Sequence, residues 1–239
     1  MKFSLRSRVV SEFIGTAFLL MAIVGSGIMG ERLAAGNLAV ALLANTIATG
    51  AALVALILTF GPISGAHFNP AVTWADASLG GIPWRESSGY VVAQLCGAYI
   101  GVICAHLMFG LPLLLSSRHT RSGISQVFSE FIATFGLVSV IWGCSRLRSS
   151  AVPFAVGAYI TAAYWFTAST SFANPAVTLA RAATDTFSGV RPVDVPAFVV
   201  AELVGAAAAT ALFRWLVPAL PAVAPDILIP RAVDNSRNL

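Results

Sequence analysis

The chain has 239 residues, of which 57% are apolar and only 10% are charged, and its mean hydropathy is +0.83. Soluble domains usually carry about 25% charged residues. These values exclude an ordinary cytosolic enzyme, a disordered chain and a nucleic-acid-binding domain, although 14 basic and 10 acidic residues give a net charge of +4. The composition instead indicates a helical protein that crosses a membrane several times.

Long apolar stretches joined by short connections predict six membrane-spanning helices. They cover about 9–29, 38–60, 88–110, 124–144, 151–168 and 195–217, each close to the roughly 20 residues that one span needs. Two shorter helices, at about 69–79 and 174–187, fall between the spans. The tail from residue 218 to residue 239 contains several prolines and a polar end, so we expect it to be irregular.

The distribution of basic residues predicts the orientation of the chain. An even number of spans places both termini on one side, where nine basic residues lie against five on the other side. This excess predicts that both termini are cytoplasmic, in the inner or plasma membrane, although Arg118 and Arg121 oppose the trend. The nine are Lys2, Arg6, Arg8, Arg85, Arg146, Arg148, Arg214, Arg231 and Arg237, and the five are Arg32, Arg118, Arg121, Arg181 and Arg191.

Three short motifs occur twice in the same order, which indicates an internal repeat. Each repeat contains three spans and one short helix, at about 7–110 and 124–217. Because three crossings separate the two repeats, the second one is inverted in the membrane, and a functional site is expected where the repeats meet. The paired motifs are residues 11–14 with 129–132, residues 69–73 with 174–178, and residues 93–98 with 201–206.

Each short helix opens with the same triplet, Asn69-Pro70-Ala71 and Asn174-Pro175-Ala176. Asparagine is favoured at the N-cap, and proline is favoured at the first helical position. A helix of about ten residues measures roughly 15 Å, half the hydrocarbon thickness. Two inverted half-helices would therefore meet with their N-termini at the membrane centre.

The electrostatics of such a meeting point favour neutral solutes. Each helix N-terminus carries about half a positive elementary charge, so two of them repel cations and protons. The side-chain oxygens of Asn69 and Asn174 cap their helices, which leaves their amide NH₂ groups free to donate into the lumen. The preceding segments, 61–68 and 167–173, are rich in small residues. Non-helical backbone at that depth indicates a wet path through the protein.

At these residues the chain resembles the aquaporin, or major intrinsic protein, family, over about residues 7–217. The run from Ser64 to Thr73 is highly specific for it. The resemblance implies an all-α membrane protein: one channel domain of six transmembrane helices and two re-entrant half-helices. It further implies a homotetramer in the lipid bilayer with one pore per subunit, which conducts water, glycerol or other small neutral solutes without a cofactor or metal and without enzymatic activity.

The resemblance also implies a constriction outward of the paired asparagines. Counting from the triplets places Thr49, Ser171 and Val177 in it. The fourth position is Ala162 or Tyr164, depending on the length of the second loop. The backbone of the loops is expected to line the pore at Gly65, Ala66, His67, Ser169 and Thr170.

Val177 stands where the family usually has arginine, and Thr49 stands where water channels usually have a bulky aromatic residue. Valine neither narrows the path nor donates hydrogen bonds nor repels cations. Such a filter is similar to that of bacterial aquaglyceroporins associated with arsenic resistance. It predicts passage of arsenite, antimonite and glycerol, with some water.

Other functions remain alternatives. An orthodox water channel is one, and a proton-coupled secondary transporter that uses its buried glutamates is another. We expect Glu12 and Glu130, with Gln94, to brace the two loops instead, because the two glutamates occupy matching positions. A membrane protein without flux and an enzyme are weaker alternatives, since the triplets are intact and no nucleophile–base pair lies near them.

Two further residues have alternative roles. The ring of His67 could act as a pH gate, but we expect a packed ring whose backbone carbonyl faces the pore. Arg181 follows Val177 by one helical turn and precedes Asp185 by four residues. It could therefore reach the outer vestibule and replace part of the missing filter arginine, or pair with Asp185.

Overall fold

A computed structural model describes residues 3–145 and 149–218, and the regular secondary structure of this part of the chain is helical. The predicted sequence of long and short helices is confirmed. Residues 219–239 of the predicted irregular tail lie outside the described residues. The helices are α1 (Leu5–Leu33), α2 (Leu38–Ser64), α3 (Pro70–Ser78), α4 (Trp84–Met108), α5 (Ile124–Ser145), α6 (Val152–Phe166), α7 (Pro175–Arg181) and α8 (Val195–Leu216).

Five helices of the described part are long and apolar enough to cross a membrane, namely α1, α2, α4, α5 and, with its preceding turn, α8. The fifth predicted span is shorter than expected, because α6 has only 15 residues. At 1.5 Å per residue it measures about 22 Å, less than the roughly 30 Å of a hydrocarbon core. A 3₁₀ turn, Ser149–Ala151, precedes it and adds length to this span.

The two repeats pack in the same way. In the first, α1 packs on α2 and α4, and in the second α5 packs on α6 and α8. Between the repeats α2 packs on α6, while the half-helices α3 and α7 contact each other and lie against α8 and α4 respectively. The two repeats therefore share one packing pattern, and their half-helices meet between them.

Glycine permits the closest helix contacts in each repeat. A Cβ atom on Gly97 of α4 would overlap the carbonyl of Phe13 in α1. A Cβ atom on Gly205 of α8 would lie 2.5 Å from the carbonyl oxygen of Phe131 in α5. Small residues at such positions let membrane helices approach closely, and these contacts hold the long helices around the two half-helices.

Two helix ends differ from the sequence prediction. The α2 helix continues past Pro62 to Ser64, so the non-helical part of the first loop starts at Gly65, not residue 61. Gly65 adopts φ = +91°, and its N–H donates to Gly61 O at 2.9 Å, which ends the helix. The second half-helix α7 ends at Arg181 rather than at residue 187.

Candidate functional site

The two short helices begin at the paired asparagines. Asn69 Oδ1 accepts a hydrogen bond from Ala71 N (2.9 Å), and Asn174 Oδ1 accepts from Ala176 N (3.0 Å) and Val177 N (3.3 Å). Proline follows each asparagine at the first helical position, where its missing N–H leaves no unpaired donor. The helices contain 9 and 7 residues, or about 14 and 10 Å, which suits a half-crossing.

The side-chain amides of the asparagines link the two repeats. Asn69 Nδ2 donates to Ala173 O at 2.7 Å, and Asn174 Nδ2 donates to Phe68 O at 2.8 Å. The expectation that both NH₂ groups are wholly free is therefore wrong. Each amide has two hydrogens, so one fixes the opposite loop and one is left for the lumen.

The loops before the asparagines share an unusual backbone conformation. In the first loop Ala66 and Phe68 have φ near +50°, and in the second loop Ser171 and Ala173 do so at the matching positions. Residues with side chains avoid this left-handed region unless their surroundings impose it. In this conformation the N–H groups of residues 67, 68, 172 and 173 reach buried carboxylates, while the carbonyls of Phe68 and Ala173 accept from the asparagine amides.

A buried carboxylate receives the N–H groups of the first loop. Glu12 is fully buried in α1 and lies beside the amide of Gln94, which also donates to Thr73 Oγ1 at 2.9 Å. Hydrogen bonds to an ionised group are stronger than neutral ones. The donors to Glu12 are Ser64 Oγ (2.6 Å), His67 N (3.0 Å), Phe68 N (2.7 Å) and Gln94 Nε2 (2.8 Å).

Glu130 plays the equivalent part in the second loop. Its carboxylate accepts from Phe172 N at 2.9 Å and from Ala173 N at 2.7 Å. Glu202, which takes the place of Gln94, accepts from Asn174 N at 3.2 Å and Thr178 Oγ1 at 2.5 Å. Each loop is thus held from behind by side chains on two long helices.

A cavity lies between the loops and the long helices. Its volume of about 70 Å³ is several times the roughly 10–15 Å³ that one buried water needs. The predicted pore-lining residues of the first loop, Gly65, Ala66 and His67, line this cavity. Those predicted for the second loop, Ser169 and Thr170, do not. The second loop lines the cavity from Ser171 onward. The opposite wall is apolar and includes Leu53, Ile57, Leu137, Ile141, Val156 and Ile160.

Ser169 and Thr170, which do not line this cavity, contact a basic side chain instead. Arg121 Nη1 donates to Ser169 O at 2.9 Å and lies 3.4 Å from Thr170 Oγ1. Arg121 Nε also donates to Gly189 O at 2.9 Å. This arginine therefore ties the loop before α5 to the segment that follows α6.

The structure brings together four of the predicted constriction residues. Thr49, Tyr164, Ser171 and Val177 are buried and line the cavity. Tyr164 Oη donates to Thr49 Oγ1 at 3.3 Å. Of the two alternatives in the fifth span, Ala162 is exposed on the outside of the monomer and does not line the cavity. Of the two candidates for the fourth position, Tyr164 is thus the one that lines the cavity.

The ring of His67 is packed, not exposed to the lumen. Its Nδ1 lies 3.0 Å from Thr73 Oγ1, and its ring centroid lies 5.3 Å from that of Tyr90. Its Nε2 is 3.8 Å from Asp76 Oδ2. These contacts support a positioning role for the ring.

Arg181 does not pair with Asp185, so that alternative is wrong. The Asp185 carboxylate accepts from Arg118 N at 2.9 Å and Arg118 Nε at 2.7 Å. These two hydrogen bonds hold the pKa of Asp185 below its ordinary value, and the bond from the backbone N–H has the larger effect. Arg181 instead lines the cavity, beside the ring of Phe172.

Comparison with known proteins identifies the architecture. The model of the family described as "Major intrinsic protein" matches residues 1–167. The chain belongs to the major intrinsic protein family. The aquaglyceroporin AqpS of Rhizobium meliloti (strain 1021) is 56% identical over 223 residues, which cover 93% of this chain and 95% of that protein.

Other members of the family are more distant. Aquaporin NIP1-1 of Zea mays is 35% identical over 164 residues, 64% of this chain and 55% of that protein. The X-ray structure of the aquaglyceroporin from Plasmodium falciparum matches with a TM-score of 0.71 at 20% identity, over 92% of this chain and 100% of that one. This last likeness shows the fold and confirms the six-helix architecture with two half-helices.

Two residues of this major intrinsic protein were not singled out as site residues from sequence. Phe172 lines the cavity and stacks under Arg181, and Arg121 holds the second loop. The repeat offered a signal for Phe172, because it matches His67 in the first loop. Nothing in the spacing of Arg121 points to its role, since that role depends on how the loop before α5 folds over the second half.

Proposed function

We propose that this major intrinsic protein is a passive channel for small neutral solutes, most of all trivalent metalloid hydroxides such as arsenite and antimonite, and glycerol, with some water. The observation that carries the proposal is the meeting of two helix N-termini at Asn69 and Asn174, which both line the cavity. The partial positive charges of the two helices favour solute oxygens and oppose cations.

The two walls of the cavity suit a solute with hydroxyl groups on a small body. One wall consists of loop backbone and asparagine amides, and the other consists of aliphatic side chains. A polyol or a trihydroxy acid can hydrogen-bond to the first wall while its other side contacts the second. Arsenous acid is neutral at pH 7 and close to glycerol in shape, so both solutes suit a cavity with one polar and one apolar wall.

The constriction supports solutes larger than water. Thr49, Ser171 and Val177 are small, and Val177 neither donates hydrogen bonds nor fills the space of an arginine. The likeness to a protein named an aquaglyceroporin, over nearly the whole of both chains, agrees with this reading. An orthodox water channel is the second candidate, and the ring of Tyr164 in the constriction is the observation that favours it.

We further infer a homotetramer in the cell membrane with both termini in the cytoplasm. The long helices carry exposed apolar side chains on their outer faces, such as Phe154, Val92 and Val204. These side chains suit lipid or neighbouring subunits. The charge distribution of the sequence supports the orientation.

The test measures flux of arsenite, glycerol and water into proteoliposomes for wild type, Val177→Arg and Thr49→Phe. We expect wild type to pass all three solutes. Each variant narrows the constriction, so arsenite and glycerol flux should fall at least about tenfold, or about 1.4 kcal/mol in barrier height, while water flux persists. Ala162→Phe adds a ring at the exposed position and should change nothing.

Two outcomes would contradict the proposal. Wild type could pass only water, which would make the protein an orthodox water channel. Alternatively, Val177→Arg and Thr49→Phe could pass arsenite as well as wild type does, while Ala162→Phe blocks it. That result would move the constriction to the other face of α6.

A further inference from the structure

Arg181 is a charged side chain buried beside the lumen. It is only 1% exposed and lines the same cavity as Val177 and Tyr164. Its Nη1 atom is buried without a hydrogen-bond partner among the residues that the structure describes. A buried donor without a partner is costly, so its position beside the lumen calls for an explanation.

The guanidinium is fixed in place by neutral groups. Arg181 Nε donates to the carbonyl of Ser188, and its Cζ lies 3.4 Å from the centroid of the Phe172 ring. Phe172 is itself fixed, because its N–H donates to Glu130. Cation–π contacts gain strength where water is excluded. The ring and the carbonyl therefore hold the side chain without cancelling its charge.

No carboxylate neutralises this charge at close range. Among the described residues, no carboxylate oxygen forms an ion pair with Arg181 within 4.0 Å, and the Asp185 carboxylate is bound to Arg118 instead. The residues that line the cavity include no aspartate or glutamate. Glu130 and Glu202 act on the guanidinium only from beyond ion-pair distance, and both carboxylates accept hydrogen bonds from groups of the second loop and α7. The positive charge of Arg181 therefore still acts on the lumen.

The position of Arg181 relates directly to the valine of the constriction. Val177 and Arg181 are four residues apart on α7, so their side chains lie on one face of the helix, about one turn apart. Because α7 starts at the membrane centre, Arg181 is the outer of the two. The constriction keeps the width that Val177 gives it, while a cation stands one turn further out.

We infer that Arg181 is the cation-excluding residue of this channel, supplied from one helical turn beyond the place where the family usually carries its filter arginine. The inference rests on the proposed function, since it concerns the selectivity of the same pore. It separates two properties that one filter arginine combines. Val177 sets the size limit for neutral solutes, and Arg181 repels cations and protons from the outer mouth.

The experiment compares Arg181→Met, Arg181→Lys and Arg118→Met in proteoliposomes. Arg118 is the matched control, because its side chain is 90% exposed, on the same side of the protein, and does not line the cavity. Proton influx is followed with a trapped pH dye under an imposed potassium diffusion potential. Glycerol and water flux are followed by light scattering on the same vesicles.

We expect Arg181→Met to raise proton influx, relative to water flux, at least about tenfold, or about 1.4 kcal/mol in barrier height, with glycerol flux retained. Arg181→Lys keeps the charge and should stay near wild type, as should Arg118→Met. Adding Val177→Arg to Arg181→Met should restore exclusion. If Arg181→Met still passes water and its proton influx equals that of the wild type, the inference is overturned.

Arg181→Met could lose all flux because the carbonyl of Ser188 loses its donor. In that case the same two assays are repeated with Arg181→Gln, whose side-chain amide can still donate a hydrogen bond to the carbonyl of Ser188. Wild-type proton influx in that variant would overturn the inference, and raised influx would support it. If the wild-type protein conducted water but not glycerol, the proposed function would be contradicted. The ratio of proton flux to water flux would still test the role of Arg181.

Discussion

At the residue scale, the buried glutamates bind the backbone of the two loops that line the cavity. Glu12 and Glu130 are fully buried, and each accepts hydrogen bonds from two consecutive backbone N–H groups of a loop. Those N–H groups have no helical partners, because the loops are not helical. A hydrogen bond to a charged group contributes about 1.5–3 kcal/mol. The carboxylates therefore offset the cost of the left-handed residues in the two loops.

Glu130→Gln should destabilise the protein and reduce the flux of every solute. An amide NH₂ in place of one carboxylate oxygen faces Phe172 N or Ala173 N, so a donor meets a donor. We expect a loss of about 3 kcal/mol, seen as a lower thermal unfolding midpoint in detergent. Glu12→Gln should act similarly. Glu86→Gln breaks only the part-exposed pair with Arg8 and should cost less than about 1 kcal/mol.

This comparison also tests the alternative of a proton-coupled transporter. In that case Glu12→Gln or Glu130→Gln would leave a folded protein with an unchanged unfolding midpoint. Solute movement would then lose its dependence on a proton gradient. A passive channel has no such dependence, so wild-type flux should follow the solute gradient alone.

Sequence could predict the capping asparagines but not the backbone between them. The caps follow from local preferences of Asn69 and Asn174, which spacing reveals. The left-handed φ angles of Ala66 and Ser171 follow from Glu12 and Glu130, which are distant in sequence. Non-glycine residues rarely adopt such angles, so propensity argues against them. Only the packed structure shows which loop residues line the cavity.

At the element scale, tertiary hydrogen bonds decide where the second half-helix ends. The sequence pattern predicts a helix to residue 187, yet the chain leaves the helix after Arg181. Leu115 N donates to Ala183 O at 2.9 Å, and Ser117 N donates to Ala182 O at 3.0 Å. These bonds pair the chain after α7 with the loop before α5. Helical periodicity alone gives no information about them.

Gly205→Ala and Gly143→Ala should change stability in opposite directions. The new Cβ at Gly205 would lie 2.5 Å from Phe131 O, so α8 must move away from α5. Overpacking of this kind costs about 1–3 kcal/mol. At Gly143 the nearest atoms belong to the Phe213 ring at 3.6 Å, and alanine should gain about 0.5–1 kcal/mol of helix propensity. Thermal unfolding in detergent measures the stability of both variants. Equal changes in the unfolding midpoint for Gly205→Ala and Gly143→Ala would contradict the tight contact at Gly205.

At the scale of the whole molecule, the repeats share a scaffold and differ in chemistry. Matching positions make matching contacts, but the side chains at the two ends of the pore are different. The first loop places a histidine near an acidic residue, and the second places a phenylalanine ring against a basic one. The matching pairs are Gln94 with Glu202, His67 with Phe172, and Asp76 with Arg181. Repeated motifs predict the scaffold, whereas these differences distinguish the two ends of the cavity.

The arginines that oppose the predicted orientation have structural partners. Arg118 binds Asp185, and Arg121 donates to carbonyls of two loop segments. Their presence on the predicted outer side therefore follows from contacts within the loops on that side. The cytoplasmic excess depends partly on basic residues outside the described part of the chain, namely Lys2, Arg146, Arg148, Arg231 and Arg237. The orientation of the molecule thus requires a direct test.

Single cysteines at exposed positions provide that test. In a variant without Cys96, Cys104 and Cys144, Val193→Cys should react with a membrane-impermeant maleimide in intact cells, because Val193 is 74% exposed next to α8 on the outer side. Arg85→Cys, exposed at the start of α4, should react only after permeabilisation. The reverse pattern would place the termini outside. Arg181 would then face the cytoplasm, and its barrier to cations would act at the inner mouth.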